Sequence, residues 1–302
     1  MIALVTGGAG FIGSHLVYEL VKRKYKVIVV DNLSTGSLKN LKLVRKKIKF
    51  INHDLSKIKK LKNIFKDVDY IFHLAGMSQA VDSIKKPKTY YKNNVIGTMN
   101  VLKSIQNYKI KKFIYSASAS CYGNPKKFPT SEREKIQTLT PYALTKWRSE
   151  QLIMRHASKY KLPVVSLRLF NVYGPRSKAS GAYSAVISVF LKQKLKKKPL
   201  TIVGDGTQTR SFVYVSDVIK AMILALKSKV NNGIFNVGSQ KSIKIIRLAK
   251  LFKGKKIYLP KRPGEPKHSI ADISKIKQKL KWKPKISISR GIKILLTSCQ
   301  RL

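Results

Sequence analysis

The sequence predicts an α/β protein, with a doubly wound parallel sheet followed by a smaller C-terminal α/β lobe. Three observations predict it. Short apolar runs alternate with longer amphipathic stretches from Ile2 to Leu169. A glycine-rich turn separates the first run from the first amphipathic stretch. After Pro175 the elements shorten and are punctuated by Pro and Gly. Regular βαβ alternation implies parallel strands with helices on both faces.

In order, Ile2–Thr6 reads as a strand and Ile12–Arg23 as a helix. Lys26–Val30, Lys49–Ile51 and Tyr70–Leu74 read as strands, and Tyr90–Tyr108 as a helix. Lys112–Ser116 is an expected strand, Tyr142–Tyr160 a long helix, and Val164–Leu169 another strand. Beyond Pro175, a helix is expected over Ala182–Leu195 and a strand over Leu200–Val203. A turn at Gly204-Asp205-Gly206 leads to a strand at Phe212–Val215. The first lobe is expected to span residues 1–171 and the second 172–302.

The chain of 302 residues is 43% hydrophobic, enough for a sizeable core. No stretch approaches the roughly 18 apolar residues of a membrane helix. The start, MIALVTGGAGFIG, lacks a basic leader and reads as a first strand. Two isolated cysteines, Cys121 and Cys299, give no disulfide framework and no metal-ligand spacing, so a reducing cytoplasm is expected. The net charge of +50 admits a nucleic-acid or anionic-lipid surface. However, lysines run from Lys22 to Lys293 without a basic tail or aromatic interleaving, so a solvated surface is the simpler reading. Such a field steers anionic substrates inward. Of the 13 acids, Asp31, Asp54, Asp205, Asp217, Glu265 and Asp272 fall inside recognisable motifs.

Gly7, Gly10 and Gly13 form a G-x-x-G-x-x-G turn between a strand and a helix. Glycines let backbone N–H groups approach a pyrophosphate, and the helix N-terminus adds partial positive charge. Asp31 ends the second strand, where an acid accepts hydrogen bonds from ribose hydroxyls and repels a 2′-phosphate. NAD is therefore expected over NADP. Asp54 either contacts adenine or simply closes a turn.

Tyr142 and Lys146 stand four apart on one helix face. A nearby ammonium lowers the phenol's pKa and makes it a usable base. Ser116-Ala117-Ser118-Ala119-Ser120-Cys121-Tyr122-Gly123 ends a strand and offers hydroxyls to a substrate oxygen. Each feature alone is common, but their conjunction is specific.

Taken together, TGGAGFIG, DNLSTG, HLAG, NNVIGT, SASASCYG, PYALTK, LRLFNVYGPR, GDGTQTRSFVYVSDV and RPGEPKHSIAD resemble the extended short-chain dehydrogenase/reductase superfamily, in its nucleotide-sugar epimerase branch. The likeness covers nearly the whole chain. It implies a Rossmann-type sheet binding NAD in the first lobe and a UDP-sugar in the second. Catalytic roles fall to Ser118, Tyr142 and Lys146. Matches to NAD-contacting positions are Gly7, Gly10, Phe11, Ile12, Gly13, Asp31, Asn32, Leu33, Ser34, Thr35, Gly36, Asp54, Leu55, Leu74, Ala75, Gly76, Asn93 and Phe170, with Tyr142 and Lys146. Substrate contacts are implied at Ser78, Ser118, Asn171, Val186, Thr201, Val203, Arg210, Arg262, Glu265 and Ser269. The two arginines suit a diphosphate.

The implied reaction is C4 epimerisation of a UDP-hexose. Tyr142 takes the hydroxyl proton while C4 gives hydride to NAD, the 4-keto sugar turns about its diphosphate, and hydride returns to the other face. A homodimer through a four-helix interface including the Tyr142 helix is implied as well.

Related dehydratases and decarboxylases carry an acid directly after the serine or threonine of this loop. Here Ala119 stands there, which removes the acid that elimination needs. Three departures stand out: Ser78 replaces a lysine, Ser211 replaces the aspartate after the motif arginine, and Ser269 is small where strict UDP-glucose/galactose epimerases are bulky. The last leaves room for UDP-GlcNAc and UDP-GalNAc. The alternatives are a 4,6-dehydratase, decarboxylase or C5 epimerase of the same family, or a Rossmann protein that binds RNA without catalysis.

Overall fold

A computed structural model describes residues 1–57, 62–177, 186–260 and 267–300. The strands of the first half are β1 (Ile2–Thr6), β2 (Lys26–Asp31), β3 (Ile48–Asn52), β4 (Tyr70–His73), β5 (Lys112–Ser118) and β6 (Val164–Leu169). Its helices are α1 (Phe11–Lys22), α2 (Ala80–Lys85), α3 (Pro87–Tyr91), α4 (Gly97–Ile105) and α5 (Pro141–Tyr160). The second half contains β7 (Val172–Tyr173), α6 (Val186–Leu195), β8 (Leu200–Val203), β9 (Thr209–Ser211), β10 (Val213–Tyr214) and α7 (Val215–Lys227). It continues through β11 (Gly233–Val237), β12 (Ser242–Lys244), α8 (Ile245–Phe252), β13 (Lys256–Leu259), β14 (His268–Ser269), α9 (Ser274–Leu280) and α10 (Ile288–Gln300).

Seven parallel strands form the central sheet in the order β11-β6-β5-β4-β1-β2-β3. The order reverses at β1, between β2 and β4, which opens the crevice where ligands of such sheets bind. β5 and β6 are buried almost end to end, as strands covered on both faces must be. On one face, Leu16, Val17 and Leu20 of α1 and Met222 and Ala225 of α7 join Val29, Ile114 and Val165. On the other, Val101 and Leu102 of α4 and Ile153 and Ala157 of α5 join Leu4, Ile71 and Phe113. A third cluster, with Phe190, Leu200, Ile202 and Phe252, holds the smaller lobe together.

The structure departs from the sequence reading in three places. The seventh strand, β11, comes from residues 233–237, beyond the expected lobe boundary, and pairs with β6 from Gly233↔Val165 to Val237↔Leu169. The single helix expected over Tyr90–Tyr108 begins at Pro87 and passes through a π turn at Lys92–Ile96. The strand expected over Phe212–Val215 is divided. Thr209–Ser211 pairs with β12 and β14, Val213–Tyr214 pairs with β7, and Val215 already opens α7. The helix expected from Ala182 is described from Val186 onward.

Candidate active site

The crevice begins at Gly7, whose φ of +70° suits glycine. A Cβ there would lie 2.7 Å from the Ala75 nitrogen, so a side chain would fill the cleft between the glycine loop and the chain after β4. Gly13 packs against the Gly7 carbonyl so closely that no side chain fits, which seats the first turn of α1 on the strand end. α1 starts with Gly10 at its N-cap and no side-chain cap, leaving its first-turn amides for an anion. This cradle suits a dinucleotide pyrophosphate.

Asp31 is 8% exposed. Its Oδ2 accepts from the Ala9 N–H at 2.9 Å and its Oδ1 from the Leu33 N–H at 2.8 Å. Burial raises its pKa, and these two amides pull it back. Each oxygen keeps a lone pair, which suits ribose hydroxyls. Asn32 accepts from Ser34 N–H, and Gly36 packs on Ala9 and Asp31, so the 31–36 loop closes over the glycine loop. Asp54 takes the turn arrangement, accepting from Ser56 N–H at 2.9 Å, and Leu55 is buried against the α4 segment.

A buried relay aligns the floor of the crevice. Ala75 N–H donates to Thr6 Oγ1, which meets His73 Nδ1 at 2.8 Å. His73 Nε2 meets Thr98 Oγ1 at 2.9 Å, and Thr98 donates to the Asn94 carbonyl at 2.6 Å. These directions place the imidazole proton on Nε2. Desolvation first, then Lys146, push the His73 pKa down to about 3, so the ring is neutral. Asn94 in turn accepts from Met77 N–H at 2.7 Å and donates to Met77 O and Thr145 Oγ1. Asn93, the neighbouring expected contact, bonds Thr89 O at the helix surface. Leu74 and Gly76 line the same bend, and Ser78 is exposed beside it.

The three expected catalytic side chains converge. The Ser118 hydroxyl lies beside the Tyr142 phenol and favours its ionised form. It also meets Ser120 Oγ at 2.9 Å and accepts from Ser120 N–H. Lys146 is 7% exposed, donates to the Ser116 carbonyl at 2.6 Å, and lies 4.4 Å from the centre of the Tyr115 ring. Burial pushes its pKa down to about 7, offset in part by Glu150. Burial raises the Tyr142 pKa, offset in part by Ser118.

Sequence reasoning missed what stands behind Lys146. Glu150, one turn on, is buried and paired with Arg168 at 2.5 Å, and it also accepts from Ser166 Oγ at 2.7 Å. Arg168 donates to the Tyr122 hydroxyl at 2.9 Å, which donates to Asn236 Oδ1 at 2.7 Å. Phe170 packs on Tyr122 and is buried. The available signal was Arg168, the lone charge in the β6 run VVSLRL, because a charge in a buried strand needs a partner.

Across the crevice, Asn171 donates to Ser211 O at 2.9 Å and to Ser269 Oγ at 3.3 Å. Ser269 is the register partner of Arg210, so Asn171, Arg210 and Ser269 form one cluster. Arg210 is 9% exposed and donates to the Thr209 and Lys267 carbonyls. Thr201 is held by Gln193, and the Val203 carbonyl by Gln208. Val186, half-buried, opens α6. Arg262 and Glu265 lie outside the described residues.

Residues 3–238 match the NAD dependent epimerase/dehydratase family. A putative UDP-glucose 4-epimerase of Methanocaldococcus jannaschii is 39% identical over 298 residues, covering 96% of this chain and 95% of that protein. The structure of UDP-glucose 4-epimerase from Thermotoga maritima, with UDP-glucose, superposes with a TM-score of 0.95 at 36% identity, covering 100% and 99% of the two chains. UDP-N-acetylglucosamine 4-epimerase from Methanobrevibacter ruminantium, in complex with UDP-N-acetylmuramic acid, gives 0.92 at 37% identity over 99% and 98%. With a glycine cradle, an acid at the end of β2 and Ser118, Tyr142 and Lys146 gathered at the carboxyl end of β5, the chain belongs to the NAD dependent epimerase/dehydratase family.

Proposed function

We propose that the protein epimerises C4 of a UDP-hexose, interconverting UDP-glucose and UDP-galactose through a transient 4-keto sugar. The observation that carries this reading is the gathering of Ser118, Tyr142 and Lys146, with Ala119 where an elimination would need an acid. NAD, held by its pyrophosphate in the glycine cradle, would supply a hydride acceptor and a positive charge at its nicotinamide ring. Tyr142 removes the C4 hydroxyl proton, and Ser118 holds the same oxygen. The protein's share is positioning and electrostatics. Without ligands, burial holds the phenol above its ordinary range, so its basicity depends on positive charge gathered in the assembled site. Arg210 and Asn171, gathered with Ser269, are donors whose chemistry suits a diphosphate.

The small Ser269 beside Asn171 supports a second substrate class, the N-acetylated UDP-hexosamines. A panel of UDP-glucose, UDP-galactose, UDP-GlcNAc and UDP-GalNAc read by NMR tests both. C4 epimers should form, and Tyr142→Phe should lower turnover by about 10³-fold while retaining NAD. Loss of C6 oxygen or of carbon dioxide instead of inversion would overturn the main reading. Absence of N-acetyl turnover beside UDP-glucose turnover would remove the second.

We propose a cytoplasmic homodimer whose interface includes α5. Tyr91 of α3 and Tyr160 of α5 leave exposed aromatic surface that such an interface would cover, at 40% and 39%. Light scattering should give twice the chain mass of 34.2 kDa, and a monomer would remove this proposal.

A further inference from the structure

The first turn of α5 accounts for its own donors except at one residue. Pro141 has no N–H. The Ala143 N–H donates to the Thr140 hydroxyl at 3.2 Å, and the Leu144 N–H to the Thr140 carbonyl at 3.0 Å. The remaining donor belongs to Tyr142. Its N–H donates to Ser83 Oγ at 3.0 Å, across 59 residues of sequence. Ser83 is fully buried in α2, and its own proton goes to the Ala80 carbonyl, so the hydroxyl presents a fixed lone pair to the Tyr142 amide. A second contact comes from the adjoining α3. The Tyr90 ring stands edge-on to the Tyr142 ring at 6.5 Å, and it is 1% exposed. The Tyr90 hydroxyl accepts from Gln79 N–H at 3.3 Å and donates to Asp82 at 3.3 Å, both on or beside α2.

We propose that Ser83 is a positioning residue for the phenol of Tyr142: α2 holds this tyrosine by its amide directly and by its ring through Tyr90. The inference rests on the epimerase reading for its kinetic consequence, and on the contacts alone for its structural one. The segment carrying Ser83 directly follows the Leu74–Gly76 bend and Ser78. The part of the chain that meets the ligands therefore also sets the height of the base. A displacement of about 1 Å at a reacting group can cost on the order of 10²-fold in rate. An amide that loses its acceptor at the base itself acts through that route rather than through fold stability alone.

The test compares Ser83→Ala with Thr140→Ala, which removes the neighbouring cap of the same turn without touching Tyr142. Ring-labelled tyrosine is followed by carbon-13 NMR in the NAD-loaded protein, with Tyr142 assigned by its loss in Tyr142→Phe. Ser83→Ala should move the Tyr142 signal and lower kcat by about 30-fold with KM within about twofold. Ser83→Thr, which keeps the hydroxyl, should restore most of the rate. Thr140→Ala should lower the melting temperature to a similar degree with little effect on kcat. An unmoved Tyr142 signal in Ser83→Ala overturns the proposal, as does an equal kcat loss in Thr140→Ala. A moved signal in a protein whose wild type inverts no UDP-sugar sinks the epimerase reading and leaves the Ser83 contact standing.

Discussion

Lys146 is a cation in a poor place for one. It is buried, with Ser116 O at 2.6 Å and Glu150 one helical turn away. Its folded pKa of about 7 lies below the ordinary 10.5, so between those values the folded protein binds fewer protons than the unfolded chain. Stability from this group therefore rises with pH across that window, and the cost of burial is complete below about pH 7. Lys146→Met should raise the melting temperature of the ligand-free protein by roughly 5 °C at pH 6, with the gain shrinking towards pH 10. A gain independent of pH would show that the lysine is not a buried charge. A side chain that destabilises the empty fold is what a functional site requires.

At the scale of elements, α5 shows most clearly how a helix becomes part of a site. Thr140 and Pro141 define its start, and Tyr142, Lys146 and Glu150 fall on one face at successive turns. Arg168 on β6 meets that face from the sheet. Arg168→Met should lower stability by about 3–5 kcal/mol in urea unfolding, because Glu150 is left buried and uncompensated. Adding Glu150→Leu should recover much of the loss. A cost under about 1 kcal/mol for the single change would mean that water reaches the pair. Local pattern made β1, α5, β6 and β8 legible to within a residue or two, as well as the glycine cradle and the Ser-Tyr-Lys set. The π turn at Lys92–Ile96 was not legible. It depends on Asn94 bonding Met77 and Thr145, partners far along the chain that no periodicity announces. Ser83 escaped notice for the same reason, its bond to Tyr142 spanning 59 residues. The division of the expected strand at Phe212 likewise reflects a change of neighbours, which a short apolar run cannot encode.

Across the whole molecule, the central sheet takes its seventh strand from the second half of the chain. β6 is buried along its full length, and β11 covers its outer edge. A fragment of residues 1–171 would leave that edge unpaired and strip α7 from the sheet. Expressed alone, it should bind the hydrophobic dye ANS and lack fixed near-ultraviolet dichroism, as loosely packed states do. Cooperative unfolding of the isolated fragment would refute this. The chain's 63 basic against 13 acidic residues concentrate the importance of each carboxylate. Asp31 organises the glycine loop, Glu150 balances Arg168, and Asp217 accepts the Lys285 and Ile286 amides that bring the C-terminal chain onto α7.

The hydrogen-bonded line from Glu150 through Arg168 and Tyr122 reaches Asn236, which passes it on to the Thr130 and Asp272 carbonyls. During synthesis, Ser118, Tyr142 and Lys146 leave the ribosome long before that asparagine does. A chain stopped before residue 236 therefore contains Ser118, Tyr142 and Lys146 but lacks the acceptor of the Tyr122 hydroxyl.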